Sequence, residues 1–399
     1  MKNKLLLLLF LLGVVFPLSA QESEVLISTS HTSLLLSTSQ GGELKFLYYG
    51  RKLTDADVHA IVSTESGSFS AYPVYGLNCP SESALSVQHE DGNMTLQMEV
   101  IGVETTHQEK ANLTVISLKD KVYPFYVKLC YKAYQDVDVI EAWTEISHKE
   151  KKNVKLNQFA SAYLPVRKGN VWLSSLYGAW ANEARLVQEP LEPGMKVIKN
   201  KDGVRNSHTA HAEVMFSLDG QPRENSGRVI GAALCYGGNY KLRIDTDESE
   251  YHHFYAGINE DNSVYHLKSG EVFKTPELAL TYSDEGLSGG SRNFHRWART
   301  YKLANGDKLR KILLNSWEGV YFKINESGMK QMMADISSMG GELFVMDDGW
   351  FGERNDDAHS LGDWEVNEKK LPGGLAGLGR KIKALGLDFG IWVEPEMVN

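Results

Sequence analysis

The segment from Glu342 to Glu396 constrains this chain more than any other. Leu343-Phe344-Val345-Met346 is a short apolar run that stops at Asp347-Asp348-Gly349-Trp350. A run of that length bounded by glycine reads as a buried strand. A second run, Leu387-Asp388-Phe389-Gly390-Ile391-Trp392-Val393, also ends in acids, at Glu394-Pro395-Glu396. Between them Leu375, Leu378, Ile382 and Leu385 step by three, four and three, the spacing of one helix face. Pro372 suits the start of that helix and Gly386 its C-terminal cap. The pattern is strand–helix–strand, with carboxylates and tryptophans at both strand ends. Burying such carboxylates is costly unless something pairs with them. In a barrel of parallel strands, that end is where ligands bind.

The same alternation extends upstream. Lys311-Ile312-Leu313-Leu314 reads as a strand ending at Asn315-Ser316-Trp317-Glu318. A helix then runs through Met329, Met332, Met333, Ile336 and Met339 to Gly340-Gly341, its methionines read as core. Three strands alternating with two helices are the opening of a (β/α)8 TIM barrel. The 89 residues from Lys311 to Asn399 are too few to close one. The expectation is therefore a fragment, truncated within the barrel. From Val25 to about Tyr282 the pattern is different: short alternating runs such as Thr95–Val100 and Tyr126–Tyr131, punctuated by Gly, Asn, Asp and Pro, with no long helical stretch. This predicts a large antiparallel sandwich. Phe294, Trp297, Ala298 and Tyr301 then mark a helix joining the two parts. The expected fold class is thus multidomain: an N-terminal antiparallel β-supersandwich over 21–282, a linker helix over 283–310, and the first three strands of a TIM barrel over 311–399.

Composition excludes several classes. A net charge of −9 speaks against a nucleic-acid surface. Residues 1–20 read as a secretory leader, with Lys2 and Lys4, an apolar core from Leu5 to Phe16 too short to span a bilayer, and Pro17-Leu18-Ser19-Ala20 before the cut. The expected destination is the periplasm or the exterior, with no membrane association after cleavage. Cys79, Cys130 and Cys235 form no disulfide framework. No Cys/His spacing suggests a metal; His208 and His211 read as a surface turn.

Several motifs together resemble bacterial α-galactosidases of glycoside hydrolase family 36. They are Asn315-Ser316-Trp317-Glu318, the run Leu343 to Gly352, Leu361-Gly362-Asp363-Trp364, and Phe389 to Val398. Looser matches fall upstream, at Tyr72-Pro73-Val74-Tyr75-Gly76, Gly178-Ala179-Trp180, Tyr236 to Tyr240 and Gly270 to Glu277. The match is poor around Ser207 to His211. The resemblance implies a retaining hydrolase of terminal α-linked galactose, needing no metal or organic cofactor. Its substrates would be galactose-containing oligosaccharides or galactomannan side chains, and its assembly a homo-oligomer, a tetramer. Retaining glycosidases use two carboxylates, a nucleophile and an acid/base. The resemblance places both beyond Asn399, so no catalytic residue is assigned within the chain and the fragment is expected to be inactive alone.

What the resemblance assigns here is substrate binding. Asp347 and Asp348 match residues that accept hydrogen bonds from galactose hydroxyls; Trp392 and Trp317 match pocket tryptophans. Trp180 matches one that reaches a neighbouring subunit's site. Adjacent strand residues point opposite ways, so the chain must bend at Gly349 for both acids to face one ligand. Alternatives stay open for each: a loop cap or an arginine partner for one Asp, core packing for the tryptophans. Glu394 and Glu396, Asp363 and Trp364 read as supports of the site. Three other functions also stay open: an α-N-acetylgalactosaminidase, a galactosyl-transferring relative, and a non-catalytic secreted galactoside-binding protein.

Overall fold

The computed structural model describes residues 23–64, 69–76, 82–166 and 168–399. The expected leader and Cys79 lie outside the described residues. The chain divides into two compact units, one ending at Gly306 and the other running from Asp307 to Asn399.

Among the described residues the first unit holds four sheets whose strand pairings are antiparallel. The largest is ten-stranded. Three of its longest strands, Ala111–Asp120, Phe125–Tyr134 and Val139–His148, pair side by side in sequence order. The alternation read from sequence has its physical counterpart here. Along Ala111–Asp120, Thr114, Ile116, Leu118 and Asp120 are buried and the residues between them are partly exposed, the two-residue period of a strand with one face in the core. Leu34, Leu85, Leu156, Ile140, Phe216, Tyr240 and Phe254 join one core fed by all four sheets.

The helix expected after Ser283 forms as Gly286–Trp297 and continues as one wide turn, Ala298–Lys302. It belongs to the first unit, where Trp297 is buried with Tyr134, Val139 and Ala279. One helix stands in the stretch where no long helical pattern was read: the ten-residue Asp55–Thr64. Only Val58 is buried along it, so it has no apolar stripe for a periodicity reading to find. Cys130 is buried on Phe125–Tyr134, and Cys235, half-buried, follows Val229–Leu234.

The second unit has strands Leu313–Asn315, Leu343–Met346 and Asp388–Ile391, separated by helices Glu326–Ser338 and Gly374–Ala384. The strands are parallel and adjacent in chain order, in register Leu313 to Leu343 to Asp388. Asn325 caps the first helix, its side chain accepting from Gly328 N at 2.8 Å, the ordinary function of Asn at that position. Met329, Met333 and Ile336 of this helix and Leu378 and Ile382 of the second close over Phe344 and Met346. Met339, at the end of the expected stripe, is 75% exposed and lies beyond the helix. Gly386 caps the second helix at φ +72°, its N–H donating to Lys383 O.

Candidate functional site

The parallel order brings three strand ends to one edge of the small sheet. Asn315 ends the first strand and Ser316 and Trp317 follow it, Asp347 and Asp348 follow the second, and Trp392 the third. Backbone hydrogen bonds weld these ends: Ser316 N donates to Val345 O, and Trp392 N to Met346 O. The indole N–H of Trp350 adds a bond of 2.9 Å to Trp392 O.

Both carboxylates are buried, Asp347 at 8% and Asp348 at 5% exposure, so each needs partners. Asp347 Oδ2 accepts from Asn315 Nδ2 at 2.5 Å and its Oδ1 from Asp348 N at 2.7 Å. Its own N–H donates to the Oγ of fully buried Ser316 at 3.0 Å. Asp348 meets Arg354 in a bidentate pair. Arg354 Nε donates to Oδ1 and Oδ2 at 3.0 and 3.2 Å, and Nη2 donates to Oδ2 at 2.9 Å. The arginine partner that the sequence left open is thus present for Asp348. The hydrogen bond to Asp348 raises the pKa of Arg354 above its already high ordinary value. Arg354 also donates to His359 O at 3.1 Å and lies 5.3 Å from the centroid of the Phe322 ring.

The bend expected at Gly349 is there. Its φ is +100°, and a Cβ on it would stand 2.9 Å from Phe322 Cα, so glycine is required twice over.

Trp392 and Trp317 are both half-buried. Trp392 stacks parallel to Phe351 with centroids 6.4 Å apart, and Trp317 sits edge-on to Tyr321 and Phe322. Each keeps part of its indole for solvent or ligand. Trp180 lies in the first unit and is 83% exposed, which removes the core-packing alternative for it. Asp363 is exposed and Trp364 half-buried, and both line an open cleft with Gly352, Glu353 and Ser360. Glu394 bears electrostatically on Arg354. Among the described residues no cluster of His, Cys, Asp and Glu is arranged to hold a metal.

Four participants were missed by sequence reasoning. Asn315 and Ser316 were quoted only as part of a motif, and Arg354 was not singled out. The fourth is Lys370, whose ammonium donates to Arg354 O, Gly349 O and Phe322 O at 2.7, 2.8 and 3.2 Å. Chemically the edge presents two carboxylates held in place from within, each carboxylate keeping acceptor capacity beyond what its protein donors use. Flanked by half-buried indoles, such an edge suits a polyhydroxylated ligand with apolar ring faces.

The arrangement is a carboxylate-bearing edge at the C-terminal ends of three parallel strands. Residues 42–268 match the glycosyl hydrolase family 36 N-terminal domain and residues 272–399 match Melibiase, and the chain belongs to glycoside hydrolase family 36. It is 35% identical over 346 residues to the α-galactosidase AgaA of Geobacillus stearothermophilus, covering 82% of this chain and 47% of that protein. It is 30% identical over 408 residues to the bifunctional α-galactosidase/sucrose kinase AgaSK of Mediterraneibacter gnavus, covering 94% and 43%. A crystal structure of an AgaA variant with 1-deoxygalactonojirimycin superposes with a TM-score of 0.88 at 30% identity, covering 94% of this chain and 57% of that one. Another, with stachyose, gives 0.87 at 30% identity and the same coverage. The chain spans about half the length of the relatives it matches.

Proposed function

We propose that this chain is part of a secreted α-galactosidase that releases terminal α-linked galactose with retention of configuration. The observation that carries the proposal is the buried Asp347–Asp348 pair at the carboxyl edge of parallel strands, in a member of this family. On this reading the antiparallel sheets are the N-terminal supersandwich, and the three parallel strands open a (β/α)8 barrel whose active face is their C-terminal end. Asp347 and Asp348 accept hydrogen bonds from galactose hydroxyls. Trp392 and Trp317 lie against the sugar's apolar faces, as indoles do. The nucleophile and acid/base of the double displacement lie outside these 399 residues, and Glu394 and Glu396 support the site without doing that chemistry. Residues 1–20 direct export to the periplasm or beyond. Exposed Trp180 reaches the site of a second copy in a homo-oligomer. Stachyose and raffinose, bound in crystals of AgaA, set the substrate class: galactose-capped oligosaccharides.

The test is hydrolysis of p-nitrophenyl α-D-galactopyranoside by the product of the complete reading frame, beside the 399-residue chain. The former is expected to turn over and the latter not. Turnover by the 399-residue chain would contradict the placement of the catalytic carboxylates. Preference for the α-N-acetylgalactosaminide, or transfer in place of hydrolysis, would replace the substrate and reaction proposed.

A further inference from the structure

Lys370 directs a charged group at neutral acceptors. An ammonium has three N–H donors, and here each has a carbonyl: Arg354 O at 2.7 Å, Gly349 O at 2.8 Å and Phe322 O at 3.2 Å. Desolvation lowers the pKa of Lys370, so the arrangement works against the charge that sustains it. An apolar side chain could fill the same space without that cost. What an apolar side chain could not do is fix three carbonyls from two different loops around one point.

Those carbonyls have a common relation to Asp348. Gly349 follows Asp348 directly. Arg354 is the partner that holds both its carboxylate oxygens. Phe322 lies under both, 2.9 Å from the space a side chain on Gly349 would take and stacked against the Arg354 guanidinium. Lys370 is itself held at both ends. Its N–H donates to Asn367 Oδ1 at 3.0 Å, and its carbonyl accepts from Glu326 N at 2.9 Å. Asn367 is buried and also donates to Gly352 O at 2.6 Å. The segment 367–370 therefore grips the turn 349–354 at three carbonyls: Gly349, Gly352 and Arg354.

We infer that Lys370 is a positioning residue for Asp348, fixing the turn from Gly349 to Arg354 so that the carboxylate and its guanidinium partner are presented to the sugar in one geometry. The inference rests on the reading that Asp348 binds galactose. Lys370 does not touch the ligand; it acts through Gly349 and Arg354.

The experiment is a titration of the product of the complete reading frame with D-galactose, followed by tryptophan fluorescence, for the unmodified protein, Asp348→Asn, Lys370→Met and Lys370→Arg. The dissociation constant reports the geometry of the folded site, whereas the signal amplitude and urea midpoint report how much is folded. Lys370→Met is expected to raise the dissociation constant about 10- to 100-fold, the range covered by loss of a hydrogen bond to a charged acceptor. Lys370→Arg, which keeps donors and charge, should recover part of the loss. A role in stability alone would lower amplitude and midpoint and leave the constant unchanged, and that result overturns the inference. Absence of galactose binding by the unmodified chain, or an unchanged constant for Asp348→Asn, removes instead the reading on which it rests.

Should Lys370→Met not fold, Lys370→Gln, which keeps a donor and removes the charge, takes its place: a dissociation constant raised above that of the unmodified protein is expected, and an unchanged constant overturns the inference.

Discussion

Removing the guanidinium from Arg354 should destabilise the second unit heavily, and by an amount that depends on Asp348 being left in place. The two side chains are 4% and 7% exposed, so solvent does little to screen their interaction. Arg354→Met leaves a buried carboxylate without its bidentate partner, a change that costs about 3–5 kcal/mol. With a urea dependence near 2 kcal/mol/M, the midpoint should fall by roughly 1.5–2.5 M. The pKa of Arg354 is raised by its partner, so its contribution is complete below the ordinary guanidinium range and is lost only as pH rises through a still higher value. The full cost therefore applies at neutral pH. The double variant Arg354→Met/Asp348→Leu carries no buried charge at this position and should regain most of the loss, because an apolar pair of similar volume often matches a buried ion pair. Hydrogen exchange followed by mass spectrometry on peptides from 343–371, with urea unfolding alongside, isolates the effect from the first unit. A single variant within about 0.5 kcal/mol of the parent would refute the reasoning. So would a double variant as unstable as the two single losses combined.

Two further outcomes follow from the geometry. Gly349→Ala forces a side chain into a φ of +100° and against the Phe322 backbone. It should cost about 1–3 kcal/mol, read as a lower thermal midpoint, and faster exchange at Trp350 should accompany it. Burial pushes the thiol of Cys130 up to about 12 and that of Cys235 up to about 11. Neither should be alkylated by iodoacetamide at pH 8 until urea unfolds the chain, since the thiolate is the reactive form. Peptide mass spectrometry at the two positions reads this directly, and rapid labelling of the folded chain would contradict it.

What was legible in the sequence was what is local. Leu343–Met346 could be read to the residue because the strand is bounded by glycine on one side and acids on the other. The helix Gly374–Ala384 was legible because Leu378 and Ile382 fall four apart and both face the core. The helix Asp55–Thr64 was not legible from apolar periodicity. Its signal was polar: Thr54 N donates to Asp57 Oδ2 at 2.9 Å and Asp57 N to Thr54 Oγ1 at 3.3 Å. That is a reciprocal capping box closed by Asp in place of the usual Glu. At the site, the acids stood out because paired carboxylates are improbable at a strand end. Their partners did not. Arg354 follows Asp348 by six residues around a turn, and Lys370 by twenty-two across a loop. Which donor reaches which oxygen is set by Gly349 and Phe322 meeting in space, and no periodicity records that. Trp180 shows a related limit: only its exposure separates a core indole from a surface one.

The central claim is that Asp347 and Asp348 hold a sugar, and not only the turn that contains them. Its most direct test is kcat/KM for p-nitrophenyl α-D-galactopyranoside with the product of the complete reading frame, comparing the parent with Asp347→Asn and Asp348→Asn. A hydrogen bond to a charged acceptor contributes about 1.5–3 kcal/mol, so each variant should lose roughly 10- to 150-fold while the folded fraction is retained. Variants that fold and turn over as well as the parent would contradict the account.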